Sequence, residues 1–147
     1  MFDVLEHIED DVATLRQVYT LLKPGGHMFA TVPAFQFLFS ADDAEAGHLR
    51  RYSLSRLTQA CTEAGFTVAF ASYLFAPLPP IVLLLRTLPS WLGLRRPADA
   101  ARSAGEHAPQ GLLARWMDRA LAFEFNRLAA GGRIPIGGSC IIVARKP

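Results

Sequence analysis

Met1-Phe2-Asp3-Val4-Leu5-Glu6-His7-Ile8-Glu9-Asp10-Asp11 opens the chain, and Leu21-Leu22-Lys23-Pro24-Gly25-Gly26 follows one helix later. Residues 1–4 read as the end of a buried strand. Asp10 or Asp11 then supplies a side-chain acceptor for the first amides of a helix. Val12, Leu15, Val18, Tyr19 and Leu22 recur at helical spacing and give that helix one apolar face. Lys23 suits its last turn, and Pro24-Gly25-Gly26 ends it, because proline cannot continue a helix and glycine accepts a left-handed turn. Residues 28–32 are a short apolar run that reads as a buried strand, stopped by Pro33. No glycine-rich nucleotide loop precedes these motifs in the 147 residues, so they read as the second half of a fold.

Working outward, Ser53 or Ser55 can cap a second helix carrying Leu57, Ala60, Cys61 and Ala64, closed by Gly65. Residues 67–74, rich in Val, Phe and Tyr, form a second strand candidate. Strand, helix and strand together are the unit of an α/β sheet. Between them residues 34–47 look loop-like, with Phe35, Phe37 and Phe39 reading as cover for a pocket and core. Composition changes at Phe75. Residues 77–94 are apolar but broken by Pro77, Pro79, Pro80, Arg86 and Pro89, whereas a membrane span needs about 20 nearly uncharged apolar residues. Residues 95–110 read as an exposed linker and 110–128 as an amphipathic helix, with Leu113, Trp116, Met117, Ala120, Leu121 and Leu128 on one face. Glu124 falls inside that face, and Arg127 is its expected partner. Gly137-Gly138 makes a turn, and the run Cys140-Ile141-Ile142-Val143 is a last strand. The division is thus a core over 1–74, an apolar helical insertion over 75–131, and a final core strand over 132–147.

The net charge is +2, with acids concentrated before Ala46 and arginines after it. A nucleic-acid footprint would be a denser basic stripe with interleaved aromatics, so no nucleic-acid partner is expected. The 51% hydrophobic and 19% charged content leaves apolar surface that needs a partner, a membrane or more core. Cys61 and Cys140 are far apart and match neither a disulfide framework nor a zinc site. That suits a cytoplasmic setting. An acidic start without a basic leader and apolar run does not read as a signal peptide, so none is expected.

Asp3-Val4-Leu5-Glu6-His7, Leu21 to Gly26, Glu63-Ala64-Gly65-Phe66 and Val143 to Pro147 stand in an order that resembles the C-terminal part of class I S-adenosylmethionine-dependent methyltransferases, close to the ubiquinone-type and type 11 and 12 groups. The resemblance covers residues 1 to about 74 and resumes over 138–147. It implies a partial Rossmann-like sheet (strands 4 to 7 of that family) with the apolar helical insertion before the last strand. It also implies S-adenosylmethionine as cofactor, with Met1, Phe2 and Asp3 beside it, in part through backbone groups of Phe2. Ligands of open α/β sheets bind beyond the carboxyl ends of strands, which agrees. The family's glycine-rich loop and second-strand acid are not among these residues, so the chain by itself is expected to bind the cofactor weakly or not at all and to be inactive. Asp3, Glu6 and His7 also match, with Asp at its first position, a Glu-x-x-Glu-His constellation that holds magnesium in ubiquinone-type enzymes. The reading preferred here is that Glu6 steadies a helix start and His7 a loop, with no metal.

Gly47-His48-Leu49-Arg50-Arg51-Tyr52 falls where the family's acceptor-side loop lies. His48 is the candidate general base, while Arg50, Arg51 and Tyr52 are candidate acceptor-binding residues, the arginines for an anionic group. The competing reading is that Arg50 or Arg51 pairs with Asp42, Asp43 or Glu45 to fix the loop. The insertion has two readings as well: a platform for a small-molecule or lipid-like acceptor with peripheral membrane contact, or a second packing layer. A module that keeps the scaffold without catalysis is the alternative function.

Overall fold

A computed structural model describes residues 1–93 and 111–147. Three strands form one sheet: β1 (His27–Pro33), β2 (Thr67–Leu74) and β3 (Ser139–Arg145), in the order β1-β3-β2. β3 is antiparallel to both neighbours, with Ile142 opposite Ala30 on one side and Ala71 on the other. The two strands joined by the intervening helix therefore run parallel without touching, because the last strand lies between them. A one-residue irregularity at Val68/Phe70 interrupts the β2–β3 register. The expected strand at the N-terminus is present as a parallel bridge of Phe2 to Thr31, with Asp3 N–H donating to Thr31 O at 3.0 Å and Thr31 N–H donating to Met1 O at 3.0 Å.

Alternation on β1 and β3 points Met28, Ala30, Val32, Cys140, Ile142 and Ala144 to one face, all buried. Two helices cover that face. Helix α1 (Asp11–Leu21) starts where Asp10 accepts from Ala13 N–H, and it buries Leu15. Its carboxyl end is closed by Lys146 rather than Lys23: Lys146 Nζ donates to the carbonyls of Tyr19 and Leu22 at 2.9 Å each. The loop after β1 contains a short helix, α2 (Ala41–Glu45), in which Ser40 and Asp43 cap one another. Helix α3 (Leu54–Glu63) is capped by Ser53 and buries Leu57, Ala60 and Cys61.

After β2 come α4 (Leu78–Val82), a π-helical turn over Leu83–Thr87 and α5 (Leu88–Trp91), with Leu84, Leu85 and Trp91 exposed. The expected linker over 95–110 lies outside the described residues. Helix α6 (Leu112–Ala129) departs from expectation, since Trp116, Phe123 and Phe125 are exposed and Glu124 is buried. Glu124 does not pair with Arg127. Its carboxylate accepts from Phe75 N–H and Ala76 N–H, and it thereby holds Phe75 at a positive φ of 61°. Arg127 instead donates to Arg133 O at 2.8 Å. Among the described residues no helix is long and apolar enough to cross a membrane.

Candidate active site

The carboxyl end of β1, the N-terminal segment and the start of β3 enclose a cleft of about 320 Å³. It is lined by Asp3, Glu6, Pro33, His48, Arg51, Leu78, Val82, Gly138 and Ser139. This is the position at which an α/β sheet places its ligand. His48 and Arg51 also line an adjoining hollow, shared with Asp42, Asp43, Glu45 and Arg86.

Asp43 organises the wall between them. It is buried, and it accepts from Ser40 N–H at 2.9 Å, Arg51 Nε at 2.8 Å, Arg51 Nη2 at 3.0 Å and His48 Nδ1 at 3.0 Å. Burial alone would raise its pKa, but the bonds from Arg51 and His48 outweigh that and hold it below its ordinary 3.8. A carboxylate can only accept, so Nδ1 of His48 carries a hydrogen and the neutral ring keeps a lone pair on Nε2. Arg51 is fully engaged, since its backbone N–H reaches Gln36 Oε1 at 2.9 Å and its Nη1 reaches Ala34 O at 3.3 Å.

Arg50 donates to Glu9 O at 2.9 Å and lies 3.8 Å from Asp11 Oδ2. Tyr52 is buried with no exposure, its hydroxyl 2.9 Å from Asp11 Oδ2 and 3.2 Å from Leu5 O. Arg56 closes the same carboxylate at 3.0 and 2.9 Å. Of the four residues expected on the acceptor loop, the structure therefore brings His48 and Arg51 to the cleft, and it places Arg50 and Tyr52 in the framework behind it.

Asp3 sits on the cleft at a positive φ of 50°, with Thr31 Oγ1 3.3 Å from Oδ1, while Phe2 is exposed beside it. An exposed ring and a carboxylate at a strand end suit stacking on a flat base and hydrogen bonding to an ammonium or hydroxyl.

Glu6 is the residue that sequence reasoning undervalued. It is completely buried on the cleft wall, and neither carboxylate oxygen has a hydrogen-bond partner. Burial pushes its pKa above the ordinary 4.5, although its own backbone amide lies close enough to oppose the shift. Beside it, His7 and His48 stand edge-to-face at 4.8 Å between ring centroids. His7 Nδ1 is tied to Gly47 O at 3.1 Å, and Gly47 adopts the φ of +78° that turns this carbonyl toward the ring. One donor atom each of Glu6, His7 and His48 lies within 4.8 Å of the others. Asp3, which stands at the first position of the constellation that the N-terminal segment resembles, is not part of this group.

The sheet order, the antiparallel last strand and the N-terminal segment beside β1 define a Rossmann-like methyltransferase fold. Residues 1–69 match the protein-family model described as "Methyltransferase domain". Among solved structures it is similar to a chain of the complex between the Haloferax volcanii Trm112 methyltransferase activator and a methyltransferase, at TM-score 0.51 and 17% identity. The match covers 99% of this chain and 51% of that one. It is also similar to Haemonchus contortus phosphoethanolamine N-methyltransferase 2 in complex with S-adenosyl-L-methionine, at TM-score 0.50 and 15% identity, over 99% of this chain and 32% of that one. At such identity the likeness shows the fold alone, and the chain spans about half of the first structure and about a third of the second. No curated protein matches it.

Proposed function

We propose that these residues form the acceptor-facing part of an S-adenosylmethionine-dependent methyltransferase. His48 is the general base, and the acceptor has an apolar body. The observation that carries this reading is the meeting of Asp3, Glu6 and His48 on one cleft at the carboxyl end of β1. S-adenosylmethionine, when bound, supplies a methyl group on a positively charged sulfur. Asp3 and Phe2 hold one edge of it. Asp43 fixes His48 so that Nε2 presents its lone pair to the cleft, and its negative charge stabilises the imidazolium formed when His48 takes the acceptor's proton. Pro33, Leu78 and Val82 meet the apolar body and exclude water.

The 147 residues contain no Gly-x-Gly turn, so by themselves they bind the cofactor weakly and turn over slowly if at all. Calorimetric titration with S-adenosylmethionine tests this. Binding weaker than micromolar, weakened further by Asp3→Ala, supports the reading. Binding that ignores Asp3→Ala, or no heat at saturating ligand, removes it.

A second reading is favoured by the exposed Leu84, Leu85, Trp91 and Leu92 together with Trp116 on α6, which suit a peripheral membrane contact, with or without catalysis. Flotation with anionic liposomes decides it. Protein that stays with the lipid in the wild type and leaves it when Trp91 and Trp116 become Ser supports the contact, and unchanged flotation sinks it.

A further inference from the structure

The acceptor loop was expected to greet an anionic group through its arginines, yet both guanidinium groups already have partners, Asp43 and Ala34 for the buried Arg51 and Glu9 and Asp11 for the half-buried Arg50. What the site leaves unsatisfied is of the opposite kind. Glu6 contributes a buried carboxylate without a partner. His7 and His48 each bind a pure acceptor through Nδ1, a carbonyl in one case and a carboxylate in the other, so each neutral ring offers Nε2 only as an acceptor. Glu6 and His48 line the cleft and His7 stands beside them, with one nitrogen or oxygen of each within 4.8 Å of the others.

We propose that Glu6, His7 and His48 together receive the N–H donors of a primary ammonium group, which makes the acceptor an amine. This rests on reading the cleft as the acceptor site. A primary ammonium carries three N–H donors, matching the three acceptors one to one.

The spacing favours it over a metal ion. Acceptors bonded to a tetrahedral nitrogen at ~2.8 Å stand ~4.6 Å apart. Ligands around a tetrahedral zinc ion at ~2.05 Å would stand only ~3.4 Å apart. The group here spans up to 4.8 Å. In the transfer, the ammonium nitrogen gives one proton to His48 Nε2 and bonds the methyl carbon, and the electron pair of the broken S–CH3 bond stays on sulfur.

The test is titration of the protein with ethylammonium chloride, followed through imidazole nitrogen NMR signals, with tetramethylammonium as a cation that has no N–H donor and zinc chloride as the metal control. The expected result is saturable shifts of the His7 and His48 Nε2 signals with ethylammonium alone. Affinity should fall at least tenfold in Glu6→Gln and several-fold in His7→Ala, both checked for native circular dichroism. Equal response to tetramethylammonium, indifference to both substitutions, or saturable binding of zinc without ethylammonium would overturn the proposal. The readout needs no S-adenosylmethionine, so ammonium binding without cofactor binding fails only the methyltransferase reading. Methyl transfer to a hydroxyl compound by a protein that ignores ethylammonium fails only this inference.

Discussion

Asp43 Oδ1 accepts from His48 Nδ1 at 3.0 Å and from Arg51 Nε at 2.8 Å, so one buried oxygen both orients the candidate base and holds the loop that carries it. Replacing Asp43 by Asn keeps the volume but leaves a guanidinium that is only 9% exposed without its counter-charge. Breaking a buried pair from one side costs about 3–5 kcal/mol. Urea denaturation should therefore show a lower midpoint for Asp43→Asn, with an unchanged slope if the denatured state is unaffected.

The same carboxylate sets an acid limit. Its pKa is held below 3.8 in the folded protein and returns to about that value when the chain unfolds. Its stabilisation is thus complete above 3.8 and is lost as pH falls through the folded value. Thermal melts of wild type and Asp43→Asn should differ most at neutral pH and converge at the acid end. A constant gap would show that Asp43 titrates alike in both states.

The caps and the main faces were legible because they are local: Asp10 and Ser53 lie three residues from the amides they bind. Tyr52 was not legible as a framework residue, since its partners Leu5 and Asp11 are 47 and 41 positions away and nothing near it in sequence signals its burial. Glu124 misled for the same reason. A neighbour one helical turn away was at hand, but two amides freed by the strained Phe75 were nearer in space. His48 was visible through its loop, whereas the significance of Glu6 is a matter of missing partners, which only packing reveals.

Cys61 and Cys140 are fully buried, and burial pushes each thiol up to about 12. Cys140 also donates to Tyr52 O at 3.7 Å. A thiolate is the reactive form, so a disulfide reagent at about pH 8 should modify neither residue in the folded protein and both in guanidinium. Because the folded values lie above the unfolded 9.0, the thiols' contribution to stability is intact below that pH and declines as pH rises through the folded values. Rapid labelling under native conditions would mean that the sheet–helix layer opens locally.

Glu6 should reveal itself as a residue that costs stability. A carboxylate buried without a partner opposes folding, and removing an unsatisfied buried group of this kind returns about 1–3 kcal/mol. Glu6→Met, similar in length and apolar, should therefore raise the melting temperature, with Glu6→Gln intermediate. The sign depends on pH. The folded pKa lies above 4.5, so below 4.5 both states hold the proton and the ionisation cost is absent; it grows as pH rises through the folded value. The gain from Glu6→Met should accordingly be larger at about pH 7 than at about pH 4. Ethylammonium binding should be lost in the same variant, which would separate a site kept at the expense of stability from a carboxylate that merely packs. A Glu6→Met protein that melts lower than wild type at both pH values would show that the carboxylate has a partner in solution.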